Sequence, residues 1–357
     1  MRVAIIASSR YPIAEPFAGG LESHVWHLSR HLGRRGHDVA VFAAAGSTTH
    51  VPGARIEAII PAAPTLSRAA RADVSMPAEW VMAEHHAYLR LMLDLAGPRS
   101  GDFDLVHNHS LHHLPLAMAP ALQRPMLSTL HTPPTPWLES ALQTDYGTTS
   151  RRFIAVSTHT AEAWYRSAGP VDTIPNGVDL DAWPVGPGGG PAVWFGRLVP
   201  EKGADLAVQA ARAAGVELLL AGPIGHRSWF EAEVAPYLDD RVRHVGHLTQ
   251  LQLSELVGRA SVSLVTPRWD EPYGLVVAES LASGTPVAAF RRGGIPEIVD
   301  GSCAVLVEPD DVDALAEALV RAAGLARGDC RARAEAVCSL DVMTSRYEAV
   351  YEEMATT

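Results

Sequence analysis

Val3-Ala4-Ile5-Ile6-Ala7, halted by Ser8-Ser9, opens the stretch that decides the fold. A short apolar run with polar limits is the pattern of a strand buried on both faces. Leu21, Val25, Leu28 and Leu32 then recur at helical spacing, and Gly36 supplies the stop. Val39 to Ala44 is a second apolar run. Strand, helix and strand in this order predict a parallel sheet with right-handed crossovers. The pattern continues through Leu105-Val106-His107, Met126 to Leu130 and Phe153 to Val156. The segment from Pro184 to Pro191 is the richest in Pro and Gly and reads as a linker or surface loop. Beyond it a second α/β set begins, with strands expected at Ala192 to Phe195, Val216 to Ala221, Val262 to Thr266, Val287 to Phe290 and Ala304 to Val307. A helix is expected from Asp310 to Ala323 with Asp310 as its N-cap, and another from Asp341 to Met354. The fold class is α/β: two facing Rossmann-like, doubly wound domains with a ligand cleft at the carboxyl ends of their strands.

Composition narrows the function. The chain has 357 residues, long enough for two cores, and is 47% hydrophobic and 19% charged. Its 29 basic against 40 acidic residues leave a net charge of −11, which opposes nucleic acid and anionic lipid as general partners. No apolar run reaches the ~18 residues of a membrane span. The amino-terminal residues enter a strand pattern directly, without the features of a leader. Cys303, Cys330 and Cys338 form neither a disulfide framework nor zinc-ligand spacing, so a reduced, cytoplasmic setting is expected. Of the 29 basic residues only Lys202 is lysine. An Arg-for-Lys bias that spares one position makes that position a candidate for chemistry.

The loop after the first strand, Ser8-Ser9-Arg10-Tyr11-Pro12, lacks the G-x-G-x-x-G turn, and the second strand ends in Ala43-Ala44-Ala45 without an acid for a ribose. No Gly-Lys dipeptide exists for a P-loop. Dinucleotide redox and P-loop chemistry are therefore disfavoured. Ala18-Gly19-Gly20-Leu21-Glu22 opens the first helix, where small residues and a helix start suit close approach to an anion. Gly196-Arg197-Leu198-Val199-Pro200-Glu201-Lys202-Gly203 follows a strand and sets two cations at its carboxyl end. Arg197 can fork onto phosphate oxygens, and Lys202 is a compact point charge for the same group. Glu271-Pro272-Tyr273-Gly274-Leu275-Val276-Val277-Ala278-Glu279 offers two carboxylates with seven residues between them. That spacing alone recurs roughly once by chance in a chain of this composition. Its context is informative: a strand ends at Thr266-Pro267, a helix opens at Gly274, and Ser283-Gly284-Thr285-Pro286 leads into the next strand. Glu271 then lies before the helix and Glu279 on its second turn, with the amides of Gly274 and Leu275 between them.

In these segments the chain resembles the retaining glycosyltransferases of family 4, which have the two-domain B-type fold. The resemblance spans nearly the whole sequence: Gly19-Gly20, Asp104-Leu105-Val106-His107-Asn108-His109, Leu130-His131-Thr132, Ile174-Pro175-Asn176-Gly177-Val178-Asp179, Gly196-Arg197 to Lys202-Gly203, and Glu271 to Glu279 with Ala282-Ser283-Gly284-Thr285-Pro286. It implies a hexosyltransferase-type enzyme whose donor substrate is a nucleoside-diphosphate sugar, with UDP and GDP the expected carriers, and no cofactor or metal ion. Arg197 and Lys202 would neutralise the leaving diphosphate, and Gly19-Gly20 would add backbone amides to it. Glu271 would bind hydroxyls of the transferred sugar and Glu279 the nucleotide ribose. His131 would stand beside the anomeric centre. By the same resemblance residues 1–174 plus 341–357 would form an acceptor-binding domain and 175–340 a donor-binding domain.

Other features carry less. His107, His109, His112 and His113 look like a metal cluster, yet without acid or Cys ligands the expectation is no metal, with His109 a contact to acceptor or sugar. Asp102-Phe103-Asp104 imitates the D-x-D of metal-dependent transferases but reads as an ordinary loop before a strand. Trp80 to Leu95 carries Glu79, Glu84 and Asp94 and no polybasic face, so it reads as a packed helix, with contact to acceptor or lipid left open. The acceptor is expected to be small and polar, a natural product or glycan. A non-catalytic nucleotide-sugar-binding protein, or a sugar-nucleotide epimerase, is the alternative on the same fold.

Overall fold

A computed structural model describes residues 1–73, 75, 77–143 and 151–356. Two wholly parallel sheets carry the chain. The first holds β1 (Arg2–Ile6), β2 (Asp38–Ala44), β3 (Ala54–Ile59), β4 (Leu105–Asn108), β5 (Met126–Leu130), β6 (Arg151–Ala155) and β7 (Asp172–Thr173) in the order β3-β2-β1-β4-β5-β6-β7. The second holds β8 (Ala192–Phe195), β9 (Leu218–Ala221), β10 (Val242–His244), β11 (Ser263–Val265), β12 (Val287–Phe290) and β13 (Ala304–Val307) in the order β10-β9-β8-β11-β12-β13. Each sheet reverses direction beside its first strand, β1/β4 in one and β8/β11 in the other. Such a switch point leaves a crevice at the carboxyl ends of the strands, and the two crevices face each other.

The short apolar runs become strands because both faces of each sheet are covered. Val3, Ile5, Val39 and Val41 pack beneath the first helix, Gly20–Arg34, while Ala4, Ile6, Ala40 and Phe42 meet the opposite layer. The last helix, Leu340–Ala355, lies beside the first helix and joins the same core through Leu340, Met343, Tyr347, Val350, Tyr351 and Met354. Val342 on this helix is exposed, whereas Met343 beside it is buried. The chain therefore crosses between the two sheets twice, and the crossings are hydrogen-bonded to each other: Val178 N donates to Cys338 O at 2.8 Å and Leu340 N to Val178 O at 3.1 Å.

Two local expectations are corrected. Of the two readings of Pro184 to Pro191, the surface loop holds and the free linker does not. Gly190 N donates to Arg259 O at 2.8 Å, Arg327 Nε donates to Gly186 O at 3.0 Å, and a Cβ on Gly186 would fall 2.2 Å from Gly258 O. Close backbone approach, rather than looseness, explains its glycines. The helix expected from Asp310 is Val312–Ala322, capped by Asp311, whose carboxylate accepts from Ala314 N at 2.9 Å. Asp310 itself has φ of 66°, a left-handed conformation incompatible with that cap role. The Trp80 to Leu95 stretch is the helix Glu79–Ala96, which buries Tyr88, Leu91, Met92 and Leu95 and exposes Trp80 and Leu93. Among the described residues, no helix is long and apolar enough to cross a membrane.

Candidate active site

A cleft of about 1100 Å³ opens between the sheets, lined from one side by Gly19, Gly20 and His131 and from the other by Arg197, Lys202, Glu271, Gly274 and Leu275. A contiguous recess of about 700 Å³ shares Gly19, Gly20, Arg197 and Leu275 and ends at Glu279. Both lie where the switch points place them. His131 follows β5, Arg197 follows β8, and Glu271 sits in the loop after β11. Of the ten site residues expected from sequence, nine line the two recesses.

His109 is the exception, and the expectation of a ligand contact is corrected. Its side chain is 0% exposed, directly behind His131, with Nδ1 2.9 Å from His131 Nε2 and Nε2 3.1 Å from His107 Nδ1. The strand β4 points His107 into the protein, and His109 follows in the loop just beyond its end.

The lysine loop is held from beneath. Gly203 adopts φ of 66°, and a Cβ there would stand 2.0 Å from Thr266 O, so only glycine fits. Thr266 Oγ1 donates to Gly203 O at 2.7 Å and itself accepts from Trp194 Nε1 at 3.1 Å. Lys202 Nζ thereby reaches Glu271 Oε2 at 2.6 Å, an oxygen that also accepts from Trp269 Nε1 at 3.0 Å. Glu271 is fixed in turn by its own carbonyl, which accepts from Gly294 N at 2.7 Å. Arg197 differs: among the described residues its guanidinium makes no hydrogen bond or ion pair, and it lines both recesses. Glu22, an acid that feels its charge, is 6% exposed, and burial raises that carboxyl above its usual pKa against the pull of Arg197. A partly buried guanidinium without a carboxylate partner is a site for an anion.

Glu279 lines the second recess and is half-buried. Desolvation pushes its pKa up to about 8. His131 is held well below the ordinary imidazole value by burial and by its histidine neighbours His24 and His107. Gly20 begins the first helix, and its Cα faces Leu275 so closely that a Cβ would fall 2.9 Å from Leu275 Cδ1. The two halves therefore meet where the start of the first helix faces Leu275 and Arg197.

Three features were not legible as site components. His24 is one turn into the first helix, 2% exposed, and packs its ring 5.0 Å from that of His131 with no polar partner on either nitrogen. Trp269 braces Glu271, and Thr266 braces the lysine loop; single Trp and Thr residues give no pattern to find. Two histidine triads, His24/His109/His131 and His85/His112/His113, bring ring nitrogens within 4.8 Å of one another. In the first, His109 and His131 spend nitrogens on each other. In the second, His112 Nδ1 accepts from Leu114 N at 3.2 Å as a helix cap. A metal in the first triad would have to displace a bond of His109, both of whose nitrogens are engaged, and one in the second would meet His112 through Nε2. Asp102 and Asp104 lie at the opposite ends of the strands from the cleft and pair with Arg99 and Arg2 at 2.9 and 2.6 Å.

Residues 18–182 match the family described as Glycosyltransferase Family 4, and residues 191–324 match Glycosyl transferases group 1. The chain is 30% identical over 358 residues to a glycogen synthase of Mycobacterium tuberculosis, covering 89% of this chain and 85% of that one. It is 28% identical to a phosphatidyl-myo-inositol mannosyltransferase of Mycobacterium leprae, covering 100% and 98%. Sucrose-phosphate synthase from Thermosynechococcus elongatus superposes with a TM-score of 0.79 at 23% identity, over 99% and 98% of the two chains. Anabaena HepE in complex with UDP-glucose superposes at 0.75 and 17%, over 99% and 100%. With its two doubly wound parallel sheets and the facing crevices between them, this chain belongs to glycosyltransferase family 4 and has the two-domain B-type glycosyltransferase fold.

Proposed function

We propose that the protein transfers a hexose from a nucleoside-diphosphate sugar to a hydroxyl of a small polar acceptor, a natural product or glycan, with retention of anomeric configuration and without a metal ion. The observation that carries this is the convergence of Arg197, Lys202 and the Gly19-Gly20 helix start on one gap in the cleft. Two cations and a row of unpaired amides suit a diphosphate, whose charge grows as it leaves. That set supplies electrostatically what a divalent ion supplies in other transferases. Glu279, which lines the second recess, would take the diol of a ribose, and Glu271, which lines the first, hydroxyls of the sugar. The nucleotide carrier in HepE is UDP, and the related mannosyltransferase acts on an inositol lipid.

In the reaction, the bond from the anomeric carbon to the β-phosphate oxygen breaks while the acceptor oxygen bonds to the same face. The acceptor proton passes to the departing diphosphate, so no protein carboxylate needs to become a covalent nucleophile. Residues 1–174 plus 341–357 would hold the acceptor and 175–340 the donor. Ser9, Arg10, Tyr11, Trp80 and Glu84 line an open hollow on the first of these units that suits a hydroxylated acceptor. The test is a thermal-shift screen of nucleoside diphosphates and their sugars, followed by transfer with the best donor and NMR of the product anomer. Stabilisation by a nucleoside diphosphate and an α-linked product from an α-linked donor support the reading. An inverted product, or binding without turnover on any acceptor, overturns it.

A further inference from the structure

Behind His131 runs a buried chain of hydrogen bonds that ends on the last helix. Tyr351, 0% exposed, places Oη 2.6 Å from His107 Nδ1, its one polar partner among the described residues. His107 Nε2 lies 2.8 Å from Thr129 Oγ1, and His107 Nδ1 also lies 3.1 Å from His109 Nε2. His109 Nδ1 completes the chain to His131 Nε2 at 2.9 Å. His131 alone among the three imidazoles reaches the cleft.

The proton positions follow from one end. The Tyr351 hydroxyl is neutral, because burial raises its pKa well above 10, and its hydrogen has a single acceptor within reach, His107 Nδ1. His107 Nδ1 therefore carries the lone pair. All three imidazoles are neutral, since burial holds them well below the ordinary value, so the one proton of His107 sits on Nε2 and is donated to Thr129. His107 Nδ1 carries no hydrogen, so its 3.1 Å contact is attractive only if His109 Nε2 bears the proton there, in a three-centre bond that shares the one lone pair with Tyr351; otherwise two lone pairs face each other. His109 Nδ1 is then an acceptor, and His131 Nε2 must donate. The reverse pattern would leave the buried Tyr351 hydrogen without an acceptor, a penalty of roughly ten- to a hundredfold in population.

We propose that Tyr351, acting through His107 and His109, fixes His131 as the Nε2–H tautomer and so presents a hydrogen-bond-accepting Nδ1 to a hydroxyl of the bound sugar. Tyr351 is a positioning residue, and the proposal rests on the donor-site reading of His131. His24 takes no part in the chain, since neither of its nitrogens has a partner. The arrangement makes His131 a reader of a sugar hydroxyl hydrogen rather than a donor to a sugar oxygen. A sugar lacking that hydroxyl would leave a lone pair of the cleft unmatched, and should be discriminated against accordingly.

The test uses the full chain labelled with 15N-histidine, with two-bond 1H–15N correlation spectra reading the tautomer of each ring. Single histidine substitutions assign the signals. Nε2–H for His107, His109 and His131 supports the proposal, and Nδ1–H at His131 overturns it, with or without any folded variant. Tyr351→Phe keeps the ring and removes the hydrogen. It should convert the set to a mixture of tautomers and lower kcat about tenfold, with the donor KM changed by less than about twofold. Retention of both the pure tautomers and kcat in this variant overturns the role of Tyr351. His131→Ala separates the two readings: unchanged kcat there removes His131 from the donor site, while the spectra still judge the proton pattern.

Discussion

Lys202 Nζ is 2.6 Å from Glu271 Oε2, so the one lysine of the chain is held by a carboxylate of the same cleft. The side chains are 25% and 15% exposed, and the pair faces the gap beside Gly20 and Arg197. A diphosphate bound in that gap, as proposed, would share or take the lysine. The ion pair therefore poises a mobile point charge at the spot where negative charge would develop.

Lys202→Ala should lower kcat by ~10² to 10³-fold, the range for one desolvated charge contact to a transition state, with little change in melting temperature. Lys202→Arg should also fail substantially, because a planar fork does not replace a compact ammonium in a gap braced by Trp269. Steady-state kinetics beside thermal unfolding check both. Equal turnover in either variant would remove Lys202 from the reaction.

Glu271→Gln should separate binding from transfer. Freed of its carboxylate, Lys202 should bind a nucleoside diphosphate as tightly as before or up to about fivefold more tightly, the size of a partly exposed ion pair. Transfer should nevertheless drop, since the sugar loses a charged hydrogen-bond acceptor. Titration calorimetry with the diphosphate, set against kcat of the same variant, reads the two effects. Weaker diphosphate binding would show that Glu271 supports the lysine rather than competing for it.

Glu279 predicts a stability that falls with pH. Its carboxyl titrates near 8 in the folded chain and near 4.5 when unfolded. Between those values the folded state holds a proton that the unfolded state has lost, so the slope of unfolding free energy with pH is negative there. Its contribution is complete below about 4.5 and is lost as pH rises through about 8. Glu279→Gln should raise the melting temperature at pH 8 relative to wild type and flatten the difference at pH 4.5. A wild-type-like melting temperature for this variant at pH 8 would contradict the burial of the charge.

Gly20 tests how the halves close. Leu275 Cδ1 can rotate from a single methyl, so Gly20→Ala should keep most activity. Gly20→Val places branched carbons against the same leucine and should hold the halves apart, with kcat/KM more than about tenfold lower. Small-angle scattering with and without a nucleoside diphosphate checks the cause: wild type should compact on binding and the valine variant should not. Full turnover in Gly20→Val would free the first helix from any role at the diphosphate.

Chelation tests the metal-free proposal. EDTA should leave transfer intact, because Arg197 and Lys202 supply the positive charge. Loss of transfer on chelation, with recovery on Mg²⁺ or Mn²⁺, would return attention to the histidine triads and to Asp102 and Asp104.

What the sequence by itself determined was whatever rests on local periodicity and on backbone geometry. Apolar runs of strand length between helical stripes are buried in a parallel sheet covered on both faces by helices, so the order of elements was legible from residue 3 onward. Gly203 and Gly274, with φ of 66° and 109°, mark turns that set Lys202 and Leu275, and such glycines stand out within their motifs. Contacts between residues far apart in the chain were decided only by the tertiary structure. Nothing local pairs Lys202 with Glu271, 69 positions away, or Tyr351 with His107, 244 positions away. His109 shows the same limit in reverse. Beside a site motif it reads as a ligand contact, but the path of the loop after β4 turns it inward, behind His131. Direction of a side chain in or out of a cleft depends on which neighbours cover it, and those neighbours come from another part of the chain. The Pro184 to Pro191 segment is the surface loop that its composition allows, but its glycines serve close packing against Gly258 and Arg259, which sequence spacing does not reveal.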